Sequence, residues 1–245
     1  MKVIAILQAR MSSSRLPGKV LLNLNEKTII EHVYNNVRAS NLVDEVFIAT
    51  STDKSDDQIE SLCIKKKFNV YRGSLDNVLD RYFNVASEHK ANIVVRITCD
   101  CPLVSSETID NLIKILIDNN YDYASNTCPP ASSIYPDGSD VEVFTFDALK
   151  KAYFSNSKYV NKEHVTFQFW QDRAFNSFQL KDLNNNYSHL RYTLDYDEDY
   201  EVIKYIYNSL QKIKKNKTSV MDIIDILDKS EIKKLNSKYY QGINW

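Results

Sequence analysis

Three cations, Arg10, Arg15 and Lys19, fall within ten residues, directly after the apolar run Val3-Ile4-Ala5-Ile6-Leu7. The stretch from Ile6 to Lys19 reads ILQARMSSSRLPGK. Arginine forks grip phosphate oxygens in pairs, and a lysine adds a mobile point charge. Ser12, Ser13 and Ser14 are small, and their hydroxyls can join a backbone nest around an anion. A nucleoside triphosphate carries about four negative charges near neutrality. Three cations and a divalent metal would neutralise it. The same residues also suit a solvated surface loop whose cations are incidental.

The rest of the composition makes any anion site local. The chain of 245 residues has 31 Lys and Arg against 32 Asp and Glu, a net charge of −1. That balance argues against a general nucleic-acid surface. No stretch approaches the roughly 20 apolar residues of a membrane span. The first apolar run is too short for a secretory signal, so a soluble, cytoplasmic protein is expected. The cysteines, Cys63, Cys99, Cys101 and Cys128, form no CxxC pair, and the four histidines show no HExxH spacing. Reduced structural thiols and no zinc enzyme are the expectation. The glycines are Gly18, Gly73, Gly138 and Gly242. Val20 follows Gly18-Lys19, which rules out a P-loop, and no G-x-G-x-x-G occurs.

The positioning elements read as alternating strands and helices. Strands are expected at Val3–Leu7, Val46–Ala49, Asn69–Tyr71, Ile93–Ile97, Val141–Phe144 and Arg191–Leu194. Thr28 and Glu31 form a capping box before the helical spacing of Ile29, Ile30, Val33 and Val37. Ser55 to Gln58 cap a second helix, with Ile59 and Leu62 on its apolar face. Val78, Leu79, Tyr82 and Phe83 mark a third, and Ile109, Leu112, Ile113 and Leu116 a fourth. An aromatic-rich helix is expected from Tyr159 to Trp170, another from about Tyr200, and more in the tail, 210–238. Such alternation implies right-handed βαβ units, an α/β fold with a doubly wound, mostly parallel sheet. Ligands bind at the carboxyl ends of such strands. Those ends carry QARMSSSR, TSTD, RGS and TCDCP. One domain, 1–245, is expected. Its nucleotide-binding half would span about 1–120, its acceptor-binding half about 121–205 and its helical tail about 206–245.

The motifs resemble those of the cytidylyltransferases that make CMP-activated acidic sugars. The resemblance is greatest to the spore-coat polysaccharide biosynthesis branch, which is related to the CMP-Kdo and CMP-acylneuraminate synthetases. It rests on Gln8–Arg10, Arg15–Lys19, Ser55–Asp57, Val78–Tyr82, Arg96–Leu103, Tyr135–Gly138, Glu142–Phe144, Glu163–Thr166 and Arg191–Asp195, in that order. It covers about residues 1–205. It implies the nucleotide-diphospho-sugar transferase fold, CTP as donor, magnesium as cofactor and pyrophosphate as product. Arg10, Arg15 and Lys19 then match triphosphate-binding residues, and Asp100 and Asp195 match the metal aspartates. Asp197 stands where the sugar-acid enzymes have proline, and Cys99 where glycine is usual.

Gln8, Ala9, Ser12, Ser13, Ser14 and Asp100 are expected along the nucleotide. Arg72 reads either as a cytosine or ribose contact or as an ion-pair partner of Asp76 or Asp80. Asp80-Arg81 reads as a salt bridge within a helix or as a base contact. Asn126, Asp137, Asp140, Glu142, Glu163, His164 and Arg191 form the expected acceptor wall, with Arg191 the partner of an acidic acceptor. His164 reads as a base or a hydrogen-bond donor, although a lone histidine in an aromatic helix is more often a packed core residue. Tyr153, Phe154, Tyr159, Phe167, Phe169, Trp170 and Phe175 suit core or a dimer face better than base stacking, and a homodimer is expected. The rival functions are a glycosyltransferase of the same fold, for which Asp195-Tyr196-Asp197 formally supplies a D-x-D, and a non-catalytic nucleotide-binding module.

Overall fold

The structure, a computed structural model, describes residues 1–213 and 218–239. Gly242 and the end of the expected helical tail lie outside the described residues. Strand β1 (Val3–Gln8) sends Val3, Ala5 and Leu7 into one hydrophobic cluster and Ile4 and Ile6 into another. A strand apolar on both faces needs cover on both. Helices α1 (Ile29–Arg38), α2 (Asp57–Lys66), α4 (Ser106–Asp118), α7 (Asp197–Ile213) and α8 (Val220–Asp228) supply buried residues to the first cluster. Helices α3 (Val78–Glu88), α5 (Phe146–Tyr153) and α6 (Phe167–Gln171) cover the second. The sheet is doubly wound, as the alternation predicts.

The other strands are β2 (Asn23–Leu24), β3 (Lys27–Thr28), β4 (Glu45–Ser51), β5 (Asn69–Gly73), β6 (Ile93–Thr98), β7 (Tyr123–Ser125), β8 (Glu142–Thr145) and β9 (Ser177–Gln179). Strands β2 and β3 form a small antiparallel hairpin. The main sheet runs β5-β4-β1-β6-β8-β7-β9. Only β8 opposes its neighbours; every other pairing in this sheet is parallel. The carboxyl ends of β5, β4, β1 and β6 therefore lie side by side. The capping box forms, with the Thr28 amide donating to Glu31 Oε2 at 2.9 Å. No described helix is long and apolar enough to cross a membrane.

Two expectations need correction. Arg191–Leu194 is not a strand of the sheet; it is an extended segment with one bridge, Asp137 to Arg191. The aromatic helix is confined to Phe167–Gln171. Before it, the Asn161 side chain accepts from the Glu163 and His164 amides at 2.9 and 2.8 Å. That local turn satisfies the backbone without a helix, and Val165 has a positive φ of 33°. Phe169 and Phe175 are buried, while Phe154 is exposed beside Phe83.

Candidate active site

The cation loop leaves β1 and closes on itself. The Gly18 amide donates to the Met11 carbonyl at 2.9 Å, and the Met11 amide to Asp56 Oδ1 at 2.7 Å. Gly18 has φ 73°, a conformation that favours glycine. This turn starts a short 3-10 segment, Lys19–Leu21, and brings Lys19 inward. Ser12, Ser14 and Arg15 stay exposed, Ser13 is half-buried and caps Leu16, and Ala9 is buried with its amide on the Ala49 carbonyl.

Lys19 is not the mobile charge expected from sequence. Its buried ammonium donates to Asp100 Oδ2 at 2.8 Å, Asp195 Oδ1 at 2.8 Å and the Leu194 carbonyl at 2.7 Å. Burial alone would lower its pKa, but Asp100 and Asp195 outweigh burial and hold it above the usual lysine value. Burial would raise the Asp100 carboxyl; Lys19 reverses this and holds it well below the ordinary range. Arg15 Nη2 also meets Asp195 Oδ1, at 2.9 Å. Arg10 reaches Glu163 Oε1 at 3.1 Å across the surface. All three cations thus lie at the carboxyl edge of the sheet.

The two aspartates converge because three loops are stitched together. The Leu194 amide donates to the Asp100 carbonyl at 2.8 Å, and the Tyr192 amide to the Asp137 carbonyl at 2.8 Å. Gly138 permits the crossing, since a Cβ there would lie 2.4 Å from the Thr193 nitrogen. Cys99 does not crowd the site; it is buried in the first cluster, and its amide extends the ladder to the Gln8 carbonyl at 3.0 Å.

Several acceptor-wall residues turn out to be structural. Arg191 is buried and holds Asp137, Asp195 and Asp199, the last two at 3.0 Å. That enclosure corrects the expectation of an acidic acceptor on Arg191. Burial, then Asp140 nearby, raise the Asp137 pKa. Asn126 is fully buried and clasps the base of the loop between β7 and β8. Its Nδ2 donates to the Ser139 carbonyl at 2.8 Å, and its Oδ1 accepts the Val141 amide at 2.9 Å. Glu142 is buried against Arg96 and Tyr123, whose hydroxyl donates at 2.6 Å. His164 stacks on Phe167 with centroids 4.6 Å apart, and burial lowers its pKa.

Arg72 pairs with Asp57 and Glu60, at 2.8 and 2.7 Å, rather than with Asp76 or Asp80. Its remaining donors hold the Ser51 and Asp53 carbonyls. The Asp80–Arg81 pair does not form either. Asp80 accepts from Asn84 and Tyr153. Asp199 and Asn236 are additions that sequence reasoning missed. Asp199 Oδ2 accepts the Asp195 and Tyr196 amides at 2.9 and 3.0 Å. Asn236 Nδ2 donates to the Arg191 carbonyl and to Asp199 Oδ1, at 3.1 and 2.8 Å. The four-residue spacing of Asp195 and Asp199 at a helix start was the available signal. The formal D-x-D does not converge: Asp195 is buried and Asp197 is exposed. Among the described residues, no three His, Cys, Asp or Glu side chains are arranged to hold a metal by themselves.

This geometry can be set against known proteins. The cytidylyltransferase family model matches residues 4–242. The chain belongs to the cytidylyltransferase family. As such it is a nucleotidyltransferase. It is 31% identical over 237 residues to the spore coat polysaccharide biosynthesis protein SpsF of Bacillus subtilis, covering 93% of this chain and 95% of that one. A cytidylyltransferase structure from Leptospira borgpetersenii superposes with a TM-score of 0.86 at 29% identity, covering 98% and 99% of the two chains. The structure of CMP:2-keto-3-deoxy-manno-octonic acid synthetase complexed with CTP shares the fold, with a TM-score of 0.60 at 17% identity over 85% and 99%. These neighbours establish the nucleotide-sugar transferase type of this cytidylyltransferase's sheet.

Proposed function

We propose that the protein transfers CMP from CTP to an acidic sugar or related acid, releasing pyrophosphate, in the biosynthesis of a surface polysaccharide. The observation that carries this reading is the meeting of Arg15 and Lys19 with the carboxylate of Asp195 at the sheet edge, with Asp100 on the same ammonium. The family supports CTP, and the names of SpsF and of the octonic acid synthetase support the acceptor class and pathway.

The chemistry is displacement at the α-phosphorus: an acceptor oxygen forms the new P–O bond as the bond to pyrophosphate breaks. In such a step the protein mainly positions and neutralises. Arg10 and Arg15, whose side chains are 39% and 54% exposed, are free to turn from Glu163 and Asp195 toward a polyphosphate. Lys19 fixes the two aspartates relative to each other.

The residues fit magnesium. Asp100 Oδ2 and Asp195 Oδ1 each lie 2.8 Å from the Lys19 ammonium, so the two carboxylates come together at the sheet edge. Two hard carboxylates, completed by phosphates and water, are the usual protein share of a magnesium site. Bound there, the metal would neutralise charge developing on the phosphates. Arg191 and Asp199 would keep Asp195 aimed. A homodimer and a cytoplasmic location belong to the same reading. The exposed Phe154 beside Phe83 and Tyr153 supports the dimer.

The test is pyrophosphate release from each of the four nucleoside triphosphates, with magnesium and a panel of acidic acceptors. Release with CTP is expected. No release with any pair, together with tight binding of a finished sugar nucleotide, would favour a glycosyltransferase. A monomer mass in light scattering would remove the dimer.

A further inference from the structure

The chain beyond α8 returns to the sheet edge. After a short 3-10 segment, Glu231–Lys234, the residues Asn236, Lys238 and Tyr239 all fasten on the turn that enters α7. Asn236 Nδ2 donates to Asp199 Oδ1 at 2.8 Å. The Lys238 ammonium lies 2.8 Å from Glu198 Oε1, and the Tyr239 hydroxyl donates to Glu198 Oε2 at 2.8 Å. The Tyr239 ring stacks on that of Tyr196, with centroids 3.7 Å apart and planes at 5°. Tyr196, Glu198 and Asp199 are thus all held from the far end of the chain.

What they hold is the mount of Asp195. The first amides of a helix have no acceptor within it, and such ends fray unless something closes them. Here Asp199 Oδ2 takes the Asp195 and Tyr196 amides, at 2.9 and 3.0 Å. That fixes the backbone from which the Asp195 carboxylate reaches Lys19 and Arg15. Arg15 depends on the same turn a second time, since its guanidinium carbon lies 5.8 Å from the centre of the Tyr196 ring. Asn236 is 1% exposed, whereas the Lys238 and Glu198 side chains are 63% and 30% exposed. An exposed ion pair holds weakly, so the ring stack is the stronger outer hold.

We propose that Tyr239 is a positioning residue for the transfer: its stack on Tyr196, with Asn236 behind it, latches the entry turn of α7 and keeps Asp195 and Arg15 aimed. The importance of Asp195 and Arg15 rests on the cytidylyltransfer reading; the latch rests on the contacts alone. When the latch opens, the turn frays and the Asp195 amide loses its acceptor. Lys19 and Arg191 then grip a carboxylate with no fixed backbone behind it. A displacement of about 1 Å from a distant change can cost about 10²-fold in rate.

Amide hydrogen exchange of the full-length protein, without nucleotide, tests the latch, and steady-state pyrophosphate release tests what it does. In Tyr239→Leu the Asp195 amide should exchange about three- to ten-fold faster than in the wild type, the scale of one stacked aromatic pair. The amides of β1 and β6 should not change. The same variant should lose at least about ten-fold in kcat and need more magnesium for half its activity. Tyr239→Phe keeps the ring and should restore all three readings. Unchanged exchange at Asp195 in Tyr239→Leu overturns the latch and leaves cytidylyltransfer standing. Faster exchange spread evenly over the domain makes Tyr239 a residue of general stability and overturns it too. Faster local exchange with kcat and the magnesium titration at wild-type values overturns the positioning role. No pyrophosphate release from the wild type removes the transfer reading, and exchange still decides the latch. If Tyr239→Leu does not fold, Tyr196→Leu, which removes the other ring, decides by the same criterion at the Asp195 amide.

Discussion

The Lys19 ammonium lies 2.8 Å from Asp195 Oδ1, a residue 176 positions away in the chain. The contact ties the loop after β1 to the segment before α7. Replacing Lys19 with alanine leaves two carboxylates facing each other without their shared cation. Turnover should fall by more than about 10²-fold, the scale of losing one transition-state contact. Steady-state pyrophosphate release measures it. A near-normal rate would mean the chemistry does not depend on this cluster.

Asp100→Asn keeps the shape of the side chain and removes its charge. The magnesium titration of activity should move to higher concentration. A titration curve superimposable on that of the wild type would place the metal elsewhere.

Arg15 is bonded to Asp195 but is more than half exposed. An exposed pair contributes about 0–1 kcal/mol, so Arg15→Ala should unfold at nearly the wild-type urea concentration. Its KM for CTP should nevertheless rise about ten-fold, one charge-assisted contact. A large loss of stability with KM unchanged would make Arg15 a structural residue.

Asn236 reaches from the end of the chain to Asp199 and Arg191 while only 1% exposed. Asn236→Ala leaves Asp199 Oδ1 and the Arg191 carbonyl short of a donor. Stability should drop by about 1–3 kcal/mol, with a lower kcat as Asp195 loses its support. Chemical denaturation and kinetics on the same preparation test the link, and a drop in neither contradicts it.

Mild acid should draw on a buried histidine. His32 is buried, with Nε2 2.8 Å from the Leu24 carbonyl, so that nitrogen carries the proton and donates it. Burial lowers its pKa below the ordinary value of 6.5. The unfolded chain therefore takes up a proton before the folded one does. The contribution is present above about pH 6.5 and is lost as pH falls through the lower folded value. His164 shifts the same way. Between about pH 7 and about pH 5.5 the urea midpoint of the wild type should fall relative to that of His32→Gln. Parallel slopes for the two proteins would clear His32 of the effect.

The parts legible in the sequence are those with local causes. Val3–Leu7, Val46–Ala49 and Ile93–Ile97 announce buried strands by composition, and Thr28 with Glu31 sets a helix start within four residues. The positions of Arg10, Arg15, Lys19 and Asp100 at one edge follow from strand ends, whereas Asp195 is brought there by the segment that bridges Asp137 and bonds the Asp100 carbonyl. What each side chain holds was not legible, because the partners are distant in sequence. Arg191 looked like an acceptor contact until Asp137 and Asp199 closed around it. Asp197 matched a motif, yet Asp199, two residues on, joins the cluster. In 159–166 the Asn161 turn overrode a helical pattern of aromatics.

The reversal of β8 bears on how such proteins diversify. Strand β7 arrives at the site's edge and β8 departs from it, so the chain between them is an outgrowth from two adjacent strands. Asn126 closes it at the neck like a drawstring. What hangs beyond that neck can change in length without reordering a strand, provided that Asp137 and Gly138 keep their hold on the chain at 190–193.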